Sequence, residues 1–283
     1  MTSKMWMGPR GGETWVPAPV IGGDFSAVGW SSETQYLNGG AGTRASVASH
    51  KEYNMTWGLA SRDSLRPITD MQAGKRGPGL IYFTDPFAAD KNVLPEQWAF
   101  PAQAYYDGVP LIGDTRPAIL TTGSGDYDYP TESAVYDLTG TGQKLYLPIP
   151  QGYTAWVGVH GSLDTGVGGV RVTAIAPGAL GGTAVYAPLL GTNTDQRFNL
   201  SYSSNTYQGI ELDLATDTAT SITIAGMMVQ MLPSGHTPAL GDFISGQGNS
   251  GCRFTGKPTT TAYSAARDKI GMSAKLVEVG TWL

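Results

Sequence analysis

Cysteine is almost missing from this sequence of 283 residues: Cys252 stands alone, which excludes an internal disulfide and any cysteine cluster for zinc. Histidine is scarce as well. His50, His160 and His236 show no two-histidine ligand spacing and none lies near the cysteine, so neither a zinc site nor a thiol–imidazole pair is readable. Charged residues make up only 14% of the chain, and a net charge of -5 without any Lys/Arg run gives no electrostatic footprint for nucleic acid. The longest apolar run, 224–232, is interrupted and too short to cross a bilayer, and residues 1–12 lack the apolar core of a signal peptide. These absences predict a soluble protein synthesised in the cytoplasm, with no cofactor, no metal and no membrane insertion.

Catalytic constellations are equally thin. No Gly-x-Ser-x-Gly stands in a strand–turn–helix setting, and Gly140-Thr141-Gly142-Gln143-Lys144 leads into a strand, without the helix that a phosphate cradle requires. The acidic turn Asp126-Tyr127-Asp128-Tyr129-Pro130 lacks a full calcium-ligand loop. Glu211 and Asp213 could be drawn as a carboxylate pair for glycoside cleavage, but their i, i+2 placement on the polar face of one strand predicts ordinary solvent exposure. The expected set of catalytic residues is therefore empty, and the chain reads as a non-enzyme.

What is abundant is turn and strand chemistry, with 39 glycines and 18 prolines. In the middle of the chain the period is two. Tyr153, Ala155, Val157 and Val159 share one face against Thr154, Trp156, Gly158 and His160. Val170 and Val172 alternate with Arg171 and Thr173; Phe198, Leu200 and Tyr202 with Arg197, Asn199 and Ser201; Ile210, Leu212 and Leu214 with Glu211 and Asp213. Seven or eight such strands in succession have the rhythm of an antiparallel sandwich or jelly roll. Outside them we expect Gly-rich strands and hairpins up to residue 59, a basic turn at 74–79, a buried strand at 80–83, and a short helix near 95–104 limited by Pro101.

Charge divides the chain at the same place. Of 18 basic and 23 acidic residues, the stretch 118–232 holds three and nine, leaving 15 and 14 in the flanks. Length favours two units. We therefore expect an all-β chain in which residues 1–117 plus 236–283 form one β-rich domain, completed by the C-terminal strand, and residues 118–235 form an inserted antiparallel β-sandwich. The chemically useful side chains left in the sandwich are aromatic. Trp156, Tyr127, Tyr129, Tyr202 and Tyr207 are the candidate carbohydrate-binding residues, because an indole or phenol face stacks on a sugar ring; core packing is the competing fate of a sandwich Trp.

Several segments also carry a resemblance. Trp15-Val16-Pro17-Ala18-Pro19, Tyr36-Leu37-Asn38-Gly39-Gly40, Tyr53-Asn54-Met55-Thr56-Trp57-Gly58 and the run from Gly79 to Pro86 resemble the N-terminal part of minor tail proteins from long-tailed phages of actinobacteria. Phe254-Thr255-Gly256-Lys257-Pro258, Tyr263-Ser264-Ala265-Ala266 and Glu278-Val279-Gly280-Thr281-Trp282 resemble the closing segment of that group. The resemblance implies a virion component at the tail tip, similar to distal tail proteins: a tail-tube-like ring domain, and a galectin-like or carbohydrate-binding-module-like sandwich projecting outward. It further implies a homo-oligomeric ring, sixfold by preference and threefold as the alternative, contacts with tail tube, tape measure and tip proteins, and contact with a host surface glycan.

Overall fold

The computed structural model describes residues 4–20, 25–28, 31–35, 41–45, 50–84, 88–102, 118–121, 132–137, 143–163, 168–176, 182–186, 200–216, 221–238, 244, 246–264 and 268–279. The first strands are β1 (Lys4–Pro9), β2 (Thr14–Pro17), β3 (Phe25–Val28), β4 (Ser31–Gln35), β5 (Ala41–Ala45) and β6 (His50–Ser61). Helix α1 (Arg62–Gln72), strand β7 (Ile81–Phe83) and the short helix α2 (Glu96–Ala99) follow. The middle holds β8 (Ala118–Thr121), β9 (Glu132–Asp137), β10 (Lys144–Pro148), β11 (Tyr153–Leu163), β12 (Gly168–Ile175), β13 (Gly182–Tyr186), β14 (Leu200–Ser203), β15 (Gly209–Thr216) and β16 (Ser221–Pro233). The last three are β17 (Cys252–Phe254), β18 (Thr259–Ser264) and β19 (Lys269–Glu278). The chain is all-β in class, and the pairings among the described strands are antiparallel.

Strands from the two ends of the chain interleave in one sheet, in the order β2-β1-β7-β17-β19-β6-β3, with β18 also on β19. β19 lies between β17 and β6, so residues more than 200 positions apart are direct neighbours: Leu276 opposes Tyr53, and Ala274 opposes Met55. One face buries Met5, Met7, Met55, Trp57, Met272 and Leu276 with Leu65, Ile68 and Met71 of α1. That helix was not anticipated. It begins where the Ser61 hydroxyl accepts from the Ser64 N–H at 3.3 Å, offering one of the orphan donors of the first turn a partner. Its apolar residues recur at three-residue spacing, and it ends at Gly74, whose φ of +70° suits glycine and whose N–H reaches the Met71 carbonyl at 3.0 Å.

The nine central strands form two sheets, β10-β15-β12-β13 and β14-β11-β16-β9-β8. Their inward side chains make one continuous core: Leu145, Leu147, Val172, Leu212 and Leu214 from the first, and Ala155, Val157, Val159, Ile224, Val229 and Met231 from the second. Each is a member of the apolar half of a period-two alternation, and burying a side chain such as Leu or Val stabilises by about 1.5–3 kcal/mol relative to leaving it exposed. The register jogs between His160 and Gly161, where a Cβ on Gly161 would fall 2.2 Å from the Thr223 carbonyl oxygen.

Residues 88–102 join this central core, although the sequence groups them with the N-terminal flank. Val93, Leu94, Trp98 and Phe100 are buried in it. The reason is an unpaired stretch of β16. Beyond Ile224 its second edge has no β9 residue opposite, and the segment fills that edge through Val93 N–H to Val229 O (2.9 Å) and Met231 N–H to Ala89 O. Asn92 locks it. Its amide donates to the carbonyls of Met227 (3.1 Å) and Ile244 (2.8 Å), and its oxygen accepts from the N–H groups of Val229 (3.1 Å) and Leu94 (3.2 Å).

Candidate functional site

The aromatic candidates do not converge. Trp156 sits on β11 between Ser201 of β14 and Gln230 of β16, half-buried on the face away from the core. Its indole N–H is shut from solvent without an acceptor. Tyr202 pairs with Ala155, one step further along, and so turns the opposite way into the core at 6% exposure. Its alternation with Leu200 on the apolar side is the sequence signal that assigns it inward, and it removes Tyr202 from any exposed platform. Tyr207 packs edge-on against it at 5.9 Å, and burial pushes the Tyr202 phenol up to about 12. Tyr127 and Tyr129 lie outside the described residues.

A denser cluster was not foreseen. It lies where the β1–β2 turn meets the outward face of the four-stranded sheet. Tyr146 projects from β10 on that face, and its ring crosses Gly209, where a Cβ would come within 2.4–2.5 Å of ring and hydroxyl. The Tyr146 hydroxyl donates to Glu13 Oε1 at 2.7 Å, Tyr82 meets the ring edge-on at 4.9 Å, and the Arg10 guanidinium lies 5.4 Å from its centre. Arg10 also reaches Glu211 Oε2 at 2.9 Å, while Lys144 holds Oε1 at 3.0 Å.

Glu211 and Asp213 are therefore not solvent-exposed acids, as their strand pattern implies. They are 7% and 2% exposed. Cations make that burial tolerable: Glu211 has two, and Asp213 is gripped through both oxygens by Arg171, with Nε–Oδ1 at 2.9 Å. Burial also raises the Glu13 carboxyl above its ordinary value, with the Tyr146 hydrogen bond and Arg10 pulling it back. The Tyr146 phenol is pushed far upward by burial and by Glu13. Such groups hold a junction together. In this cluster Glu13, Glu211 and Asp213 are each engaged by a hydroxyl or a cation.

A second polar cluster ties the C-terminal strand in place. Glu278 accepts from the Lys51 N–H at 3.2 Å and from the Ser250 N–H and hydroxyl at 2.7 and 2.9 Å, tying the last strand to the loop before β17. Cys252 is fully buried in the flanking core, and burial pushes its thiol well up, with Glu278 adding to the effect. Among the described residues no three His, Cys, Asp or Glu side chains gather as for a metal ion, and no helix is long and apolar enough to cross a membrane. A groove of about 460 Å³ runs beside β2, the end of β6 and the start of α1, lined by Trp15, Pro17, Leu59, Pro67, Lys4 and Lys269 among others.

No family model matches the chain, and no curated protein matches it. Among solved structures it is similar to the enzymatically active domain of tailspike protein 4 from bacteriophage CBA120, at 13% identity and TM-score 0.33, over 50% of this chain. The chain spans only 21% of that tailspike's length. It is also similar to carbohydrate-binding modules of the β-sandwich superfamily (10% identity, TM-score 0.25, 77% of this chain and 88% of that one). A third likeness is to infectious bursal disease virus VP2 in a subviral particle (10% identity, TM-score 0.28, 98% of this chain and 75% of that one). With TM-scores of 0.33 and below, these likenesses carry no argument about what this chain does.

Proposed function

We propose that this chain is a structural protein of a phage tail tip, assembling as a symmetric ring that joins the tail tube to tip or adhesion proteins. The observation that carries the reading is topological: both ends of the chain build one sheet, and the middle builds a separate sandwich. In this reading residues 1–117 plus 236–283 form the ring and 118–235 project from it, with the packed segment 88–102 travelling with the sandwich. The resemblance of both flanks to minor tail proteins supports it. So do Leu59 and Val20, exposed at 65% and 56% on the flanking unit, where contact with another copy would cover them. β2 and β3 end the order of the flanking sheet, and a closed ring supplies partners for such edges.

Cryo-EM of purified virions tests this directly. Six copies around the tail axis are expected; three copies select the threefold alternative, and absence of the chain from virions removes the reading. We read the protein as non-enzymatic, because the ionisable groups described above are engaged in pairs and staples. Release of reducing ends from host envelope polysaccharide by the purified chain would overturn that.

A second reading makes the sandwich a glycan-binding adhesion module. What favours it is Trp156, held on an outward face between Ser201 and Gln230. With Tyr202 turned inward, the proposed platform consists of Trp156 and the partly buried Tyr207, with Tyr127 and Tyr129 as candidates from the sequence alone. Glycan-array binding that persists in Trp156→Ala would remove this site.

A further inference from the structure

We infer that the β1–β2 turn, residues 10–13, is a releasable latch that fixes the sandwich against the flanking sheet. The inference rests on the two cores and the junction between them, and is independent of the tail-tip role.

Three observations lead there. First, there are two separate apolar core clusters among the described residues, one beneath the flanking sheet and one inside the sandwich, so each unit keeps its own core if the two part. Second, the loop 247–249 touches both units, lying along residues 92–94 at the sandwich edge. Gln247 N–H donates to Asn92 O at 3.0 Å and Gly248 N–H to Leu94 O at 2.9 Å, so closely that a Cβ on Gly248 would fall 1.7 Å from the Val93 carbonyl oxygen. Asn249 and Lys51 then tie that loop to the flanking sheet, through Phe83 O at 3.2 Å and Gly248 O at 2.7 Å. That loop, held to both units, is the pivot.

Third, the junction at the turn is polar and aromatic. Arg10–Glu211, Tyr146–Glu13 and the Tyr82–Tyr146 edge contact provide it, together with the looser Trp15–Tyr153 pair at 6.5 Å. When such contacts open, water replaces the lost hydrogen bonds, whereas opening either core would expose apolar surface. The closed seat is nonetheless specific. Gly209 leaves space for the Tyr146 ring, and Gly12 lets the turn pass the Arg76 carbonyl, 2.3 Å from where a Cβ would stand. Closed, the latch sets the direction in which the sandwich points; released, it lets the sandwich swing about the loop 247–249.

Hydrogen exchange on the full-length chain tests the latch, using the double variant Arg10→Ala with Tyr146→Phe and, separately, Gly209→Ala. The double variant removes the polar contacts, and Gly209→Ala expels the Tyr146 ring without changing charge. Both should speed amide exchange at least tenfold in residues 10–13, leave β6, β11, β16 and β19 protected, and increase the radius of gyration in X-ray scattering. Unchanged exchange at the turn in either variant overturns the latch. Equal loss of protection through both cores overturns it too, because the junction would then belong to one cooperative unit.

Discussion

The two outward faces of the sandwich begin with the same sequence pattern and end in different surroundings. On the four-stranded sheet, Tyr146, Glu211 and Asp213 alternate with core leucines, yet these polar side chains are buried, Glu211 partly by Arg10 from the β1–β2 turn. On the five-stranded sheet, the segment 88–102 lies along one edge of β16 and reaches Gly226 through Phe100, while Trp156 stays half-buried beside Ser201 and Gln230. Period-two alternation fixes which side of a sheet a residue takes. It says nothing of what then lies on that side.

That contrast can be broken at its covered points. The largest effect is expected at Asn92→Ala, which leaves the N–H groups of Leu94 and Val229 and the carbonyls of Met227 and Ile244 without their partner in a buried site. A loss of about 4 kcal/mol in urea unfolding is expected, and a loss under about 1 kcal/mol would show that the segment is not stapled as described. Asp213→Ala comes next, at about 3 kcal/mol, because it removes a two-point hydrogen-bonded carboxylate that is 2% exposed from the Arg171 guanidinium. Replacing both partners by apolar residues of similar volume should recover most of that loss, which denaturant titration of the single and double variants would measure.

Trp156→Ala, on the less covered face, should cost only about 1–2 kcal/mol, below the 3–5 kcal/mol typical of a core Trp. A larger loss would mean that Trp156 is as much part of the packing as Trp98. The smallest effect concerns pH. Because burial raises the Glu13 carboxyl, its contribution to stability is fully present below the ordinary carboxylate pKa and is lost as pH rises through the raised value. Glu13→Gln keeps an acceptor for Tyr146 but cannot ionise, so it should gain on the wild type as pH increases. Denaturant midpoints with the same pH slope for both proteins would contradict this.

How legible all this was in the sequence depends on how local the cause is. The strands around 144–148, 153–159, 170–173 and 210–214 follow from alternation, and the turn at 74–79 and the short helix after Pro95 follow from glycine and proline. Helix α1 was hidden by Pro67 in its interior and by a largely polar sequence, although Leu65, Ile68 and Met71 keep a helical spacing. The placement of 88–102 was hidden for another reason: Asn92 meets Met227 across 135 residues, and no local pattern encodes such a meeting. Of the candidate aromatics, Tyr202 lies in the core, the side to which its alternation with Leu200 already pointed.

The sequence by itself determined the strand-rich class, the inward sides of the central strands and the scarcity of reactive side chains, because these depend on composition and on neighbours one or two positions away. Only the tertiary structure decided that Glu211 and Asp213 are buried ion-pair partners, that the β1–β2 turn seats on Tyr146, and that β19 returns to lie between β17 and β6. Those outcomes depend on which surfaces meet. An acid on the polar face of a strand is solvated or buried according to what another part of the chain brings to it.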